Sequence, residues 1–205
     1  MKHLDASSSG VPEPVPVFPL GSLLLPSATL PLQIFEPRYL MMVSRCTREE
    51  SGFVVTLTDP KDSTNIYGCY GRIIDFGHLE NGLLGITVLG EQRVKVNHLN
   101  KDDTGLWWGR PQVLQESPVQ IEEEQDWLEH YQPVLDALLQ HPYLVSQPGT
   151  DLEEPRAAVH QLMVWLPLES RSRLALLAED NFLQRCRLLD AMLSELAGQS
   201  SAQES

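Results

Sequence analysis

From Val15 to Leu114 the apolar residues come in short alternating or β-branched runs, cut by prolines, glycines and polar clusters. That punctuation predicts strands. The opening stretch contains Pro16, Pro19, Pro26 and Pro31, each lacking the amide donor that a sheet interior requires, so its strands should be short and lie at edges or bends. Glu36-Pro37-Arg38-Tyr39 then opens a helix. Pro37 suits the first helical position, and Glu36 sets a negative charge at the positive end of the helix dipole. Leu40, Met41 and Val43 give this helix a core-facing side to about Arg48, and Ser51-Gly52 ends it. Further strands are predicted at 52–57, 67–76, 83–89, 93–99 and 106–114, with a loop at 59–63, a hairpin turn at Asn81-Gly82 and a break at Gly90. Many short strands around one helix predict a twisted, partly closed β structure with few free edges.

Past Pro118 the apolar period changes from about two to about 3.6. Trp127, Leu128, Tyr131, Val134, Leu135, Leu138 and Leu139 form one stripe, with Glu122, Glu123, Glu124 and Asp126 in the first turns as a solvated face. Pro133 predicts a kink or short break in that helix. A second helix is expected from a Thr150-Asp151 capping pair to about Trp165, ended by Pro167, followed by helices at 169–178 and 181–197, with Gly198 as the final cap. Residues 1–14 and 199–205 are polar and read as disordered tails. The organisation expected is α+β: a β-rich part at 15–118 and a helical bundle at 119–198.

Several of these segments carry a resemblance. Pro16-Val17-Phe18-Pro19-Leu20, Leu25-Pro26, Leu30-Pro31-Leu32 and Phe35-Glu36-Pro37-Arg38-Tyr39 resemble the start of the N-terminal LON domain of Lon proteases. Tyr67-Gly68-Cys69-Tyr70-Gly71-Arg72 is similar to the family's glycine-containing strand, with Cys69 where a threonine is usual, and Gly90-Glu91-Gln92-Arg93-Val94 to its G-x-x-R strand. The Trp165–Ser170 turn resembles that of the helical part. The likeness spans about Val15 to Leu196. It implies a PUA-like fold for the β-rich part, a partly closed barrel with one embedded helix, and binding of polypeptide.

Charge adds a second distinction between the halves. The net charge is −13, but residues 1–118 carry 10 Lys+Arg against 13 Asp+Glu while residues 119–205 carry 5 against 15. So acidic a surface repels a phosphate backbone, which disfavours nucleic acid. The apolar runs fall short of a membrane span, and no basic segment with an apolar region opens the chain. Cys46, Cys69 and Cys186 lack C-x-x-C spacing, which argues against a disulfide framework or zinc site and for a reducing, cytoplasmic setting.

No phosphate-cradling G-x-x-x-x-G-K-[S/T] loop occurs, and the four lysines, Lys2, Lys61, Lys95 and Lys101, sit in polar or strand-exterior contexts unsuited to a Ser-Lys dyad. The histidines lack H-E-x-x-H spacing. The expectation is therefore a non-enzymatic, stand-alone LON domain, with no catalytic or metal residue and no cofactor, that binds unfolded or extended polypeptide or a partner protein. Glu36, Arg38, Tyr39, Trp107 and Trp108 are the candidate partner-binding residues. Glu36 and Arg38 are also explained as helix-start residues, and strand alternation should turn one tryptophan outward. The alternatives are an enzyme with a site between the two parts that uses Glu36, Arg38 and Cys69, or RNA binding through the PUA-like part.

Overall fold

The protein is described by a computed structural model covering residues 13–58, 66–79, 81–145 and 152–203. The expected loop at 59–63, the Thr150-Asp151 pair and the tail to residue 12 lie outside these residues. The chain runs β1 (Val15–Pro19), β2 (Thr29–Ile34), α1 (Pro37–Arg48), β3 (Phe53–Thr56), β4 (Ile66–His78), β5 (Leu84–Lys101) and β6 (Trp107–Val113). Helices α2 (Ile121–Leu138), α3 (Pro142–Val145), α4 (Pro155–Trp165), α5 (Ser170–Ala178) and α6 (Phe182–Gln203) follow. All described strands thus precede Leu114, and every described helix but α1 follows Pro118.

The strands form one sheet in the order β2-β5-β4-β3-β1-β6, and β5 also pairs with β6. That extra pairing closes β1, β3, β4, β5 and β6 into a ring. The length of β5 makes it possible: its first half, Leu84–Leu89, pairs with β2, and its second half, from Val94, pairs with β6. Among the described residues β2 pairs with a strand on one side alone, as does β4 beyond Gly71.

The expected break at Gly90 does not occur; β5 passes straight through it. A Cβ there would lie 2.2 Å from the Leu25 carbonyl oxygen. The glycine serves a crossing of two backbones, sealed by hydrogen bonds from Ser27 N–H to Gly90 O (2.8 Å) and from Gly90 N–H to Ala28 O (2.9 Å). A bulge between Tyr70 and Gly71 absorbs the extra residue opposite.

Alternate strand positions feed two cores. Val17, Val54, Tyr70, Val94 and Val96 pack together. Phe18, Phe53, Val55, Cys69, Ile86 and Val88 pack under Tyr39, Met42 and Val43 of α1. A third core belongs to the helices, with Leu128, Tyr131, Leu162, Leu177, Phe182 and Leu189 at its centre. The Leu23-Leu24-Leu25 run stitches these layers: Leu23 and Leu25 enter the helical core, and Leu24 enters the core beneath α1.

Several boundaries differ from expectation. The helix α2 runs unbroken through Pro133. Within its acidic start Glu124 is buried and paired with Arg156, because α4 packs on that face, while Glu122, Glu123 and Asp126 remain exposed. The helix α4 begins at Pro155 with Glu154 as its cap, whose carboxylate accepts from the N–H groups of Arg156 and Ala157. The helix α6 continues past Gly198 to Gln203, so residues 199–203 are helical rather than tail.

Candidate functional site

Two groups of the sequence-derived residues land in different places. Glu36, Arg38 and Tyr39 lie together where β2 turns into α1. Glu36 is the N-cap residue without a side-chain capping bond, and Pro37 fills the first turn as expected. The Glu36 carboxylate instead pairs with Arg38 at 2.6 Å. Arg38 also donates to the Gly105 carbonyl (3.4 Å) and stacks over the Tyr39 ring at 4.8 Å. Tyr39 is buried against Phe18, ring centroids 4.1 Å apart.

These residues line a cleft of about 320 Å³ that also takes in Leu20, Gln33 and Phe35. Phe35 is 64% exposed, the most open phenylalanine among the described residues. A large ring left in water at the mouth of a concave, partly apolar cleft is the feature that contact with another molecule would cover.

Trp107 and Trp108 are elsewhere, on β6. Both are half-buried, so the expected division into one buried and one exposed ring does not hold. Both faces of the strand are covered: Trp107 packs against the Val17–Val54–Val94 core and Trp108 against the core beneath α1. A cation stacks on each, Lys101 Nζ 4.7 Å from the Trp107 ring and the Arg45 guanidinium 4.6 Å from that of Trp108. Asp102 fixes the second ring by accepting from its indole N–H at 2.9 Å. A groove of about 620 Å³ opens beside Trp108, lined by Arg45, Lys101, Asp102 and Arg110.

Cys69 is fully buried, and desolvation pushes its thiol up to about 12, so it meets no cleft and forms no nucleophile. Burial likewise raises Cys46 to about 11 and Cys186 to about 12. The arrangement of Glu36, Arg38 and Cys69 around one site is therefore absent.

The most elaborate polar chemistry sits between the sheet and the helices. Arg93 and Arg185 have fully buried side chains. Arg93 pairs with Glu116, donates to the Leu177 carbonyl (2.8 Å) and meets Asp180 at 2.9 Å. Arg185 donates to the carbonyls of Leu176 (3.0 Å) and Glu179 (2.5 Å), to Glu116 (3.1 Å) and to Nε2 of His160 (2.7 Å). His160 Nδ1 in turn donates to the Pro26 carbonyl at 2.8 Å, so its two partners fix the tautomer. Desolvation, then the charge of Arg185, hold His160 well below its usual pKa and keep it neutral.

Next to it, the Gln161 side chain accepts from Thr29 N–H (2.7 Å) and donates to Thr29 O (3.2 Å), as a neighbouring strand would. Sequence reasoning assigned these residues no joint role, because their partners lie far along the chain. The signal available was isolated polarity in apolar surroundings: His160 and Gln161 amid Ala157–Met163, and Arg185 within the Phe182–Leu189 stripe. With each guanidinium and imidazole nitrogen hydrogen-bonded to a fixed partner, the network holds the two parts together and offers no reactive group.

The family model for the ATP-dependent protease La (LON) substrate-binding domain matches residues 14–195. Among solved structures, a Lon N-terminal domain protein from Xanthomonas campestris is 31% identical, covering 89% of this chain and 98% of its own, with a TM-score of 0.57. The N-terminal domain of a Mycobacterium avium complex Lon protease is 17% identical over 87% of this chain and 97% of its own, with a TM-score of 0.62, and so shares the fold. The family model spans most of the chain, and the chain belongs to the LON substrate-binding domain family.

Proposed function

We propose that this protein is a non-enzymatic binding module that engages unfolded or extended polypeptide, or a partner protein, through the cleft at the start of α1. The observation that carries this reading is the exposed Phe35 ring beside Leu20 and the Glu36–Arg38 pair in a cleft of side-chain size. Apolar walls supply affinity, and the ion pair supplies hydrogen-bonding groups at the rim. Trp107 and Trp108 form a secondary contact around the groove beside β6. On this reading residues 15–118 are a PUA-like barrel subdomain and residues 119–198 a helical bundle. Their combined acidity turns nucleic acid away, and the protein works in the cytoplasm without cofactor or membrane.

Family membership supports polypeptide as the ligand class, and the burial of Cys69 removes the nucleophile of the enzymatic alternative. The test is a titration of the protein against a fluorescently labelled, permanently unfolded polypeptide and against single-stranded RNA, each at low and high salt. Saturable polypeptide binding that survives salt is expected. Salt-sensitive RNA binding without polypeptide binding, or hydrolysis of nucleotide or peptide by the purified protein, would overturn the proposal.

A further inference from the structure

Among the described residues β2 pairs with β5 alone, and hydrogen bonding along β2 shows which groups point to its open side. Ala28 O accepts from Gly90 N–H, so Ala28 faces β5. In an antiparallel pair, facing alternates from residue to residue. Thr29 therefore points outward, as its capture by Gln161 independently shows. Leu30, Leu32 and Ile34 bond to β5, opposite Val88, Ile86 and Leu84. Pro31 and Gln33 face out, and Pro31 sits where its missing N–H costs the ladder nothing. Gln161 closes the edge at Thr29, and no described strand takes up the outward Pro31 carbonyl or the outward N–H and carbonyl of Gln33.

Two clefts meet at this point. The cleft with Phe18, Leu20 and Phe35 lies on the side covered by α1, and Gln33 contributes to its wall. Gln33 also borders a second cleft of about 420 Å³, with Pro31, Gly77, Leu79, Gly85 and Thr87. Since Leu32, Ile34 and Ile86 turn to the core beneath α1, alternation puts Pro31, Gln33, Gly85 and Thr87 on the opposite face. One cleft thus flanks each face of the same open edge. A strand laid along it would send successive side chains alternately into the two.

We propose that the open edge of β2 around Gln33 receives an extended polypeptide as an added strand, with apolar side chains entering the two clefts in alternation. This rests on the polypeptide-binding reading above and specifies how the ligand is held. Charge selects among extended segments: Asp75 lines the second cleft, Glu36 in the first is already matched by Arg38, and the chain carries −13 overall. The occupant is accordingly an apolar segment with neutral or basic residues.

Two variants probe this without touching the cores. Gln33→Pro removes the outward N–H and leaves the bonds to β5 in place. Gly77→Trp fills the second cleft from a position where an added Cβ meets nothing within 4 Å. The probe is a labelled peptide of alternating valine and lysine, followed by fluorescence anisotropy. Its controls are the same peptide N-methylated on alternate backbone nitrogens and a valine–glutamate counterpart.

We expect the valine–lysine peptide to bind, each variant to weaken it by about tenfold with circular dichroism and Tm unchanged, and both control peptides to bind less. Should Gln33→Pro not fold, Gly77→Trp and the N-methylated peptide decide alone. If the folded variants and the N-methylated peptide bind as well as the originals, strand addition is refuted while polypeptide binding stands. If the wild-type protein binds neither the valine–lysine peptide nor the unfolded polypeptide, both readings fall. Sedimentation showing a dimer that Gln33→Pro dissociates would assign the edge to a second copy and refute the proposal as well.

Discussion

The seam between sheet and helices and the mouth of the α1 cleft use the same kinds of residue to opposite ends. In the seam, Arg93 and Arg185 are wholly buried, and Glu116 lies between them. At the cleft mouth, Arg38 and Glu36 pair in a setting open to water, and Phe35 stands clear of the fold. Removing one partner from a buried set strands a charge where no solvent can reach it, whereas a surface pair trades one partner for water. The seam should therefore govern stability, and the mouth should govern binding while being nearly silent in stability.

The hardest test of that division is Glu116→Ala. Two buried guanidinium groups lose their shared carboxylate, and we expect a loss of about 3–5 kcal/mol in urea unfolding. A loss below about 1 kcal/mol would mean that the seam is not a structural hub.

Next comes pH. His160 has a folded-state pKa well below its unfolded value, so the unfolded chain binds the extra proton as pH falls. Stability should be complete above the unfolded value of about 6.5 and decline below it, by up to about 1.4 kcal/mol per pH unit until the folded value is reached. The groups facing His160 are the cations Arg185, Arg156 and Arg93 and the Pro26 carbonyl. Comparing chemical-denaturation curves of wild type and His160→Gln between pH 7 and 5 isolates the contribution; parallel pH dependences would contradict it.

At the mouth, Phe35→Ser should weaken unfolded-polypeptide binding about fivefold or more, with unfolding free energy held within about 0.5 kcal/mol. A stability loss of core size would show that the ring is structural. Smallest is Glu36→Gln, which removes a half-exposed pair and should cost at most about 1 kcal/mol in the same assay.

Much of the fold could be read locally. The α1 start follows from Pro37 at its first position, and the change of period after Pro118 separates strands from helices. What sequence misled on was set by contacts across the chain. Gly90 resembles a turn residue because glycines make turns, yet its lack of a side chain serves the Leu25 carbonyl crossing behind β5. Glu124 resembles its solvated neighbours until Arg156 is brought to it by α4.

The site divided in the same way. Glu36, Arg38 and Tyr39 were adjacent in sequence and stayed adjacent in space. Trp107 and Trp108 drew attention by their type, but their surroundings depended on Arg45 and Lys101 reaching them from other elements. The seam residues were invisible as a set, since Arg93 and Asp180 are separated by 87 positions.

The three cysteines, finally, are distributed one to each layer, with Cys46 in α1, Cys69 in β4 and Cys186 in α6, and all are sealed from solvent. The native molecule thus carries three silent reporters at its own positions. Their order of modification by a thiol-reactive label under mild denaturant reads out which layer opens first, with no engineered residue.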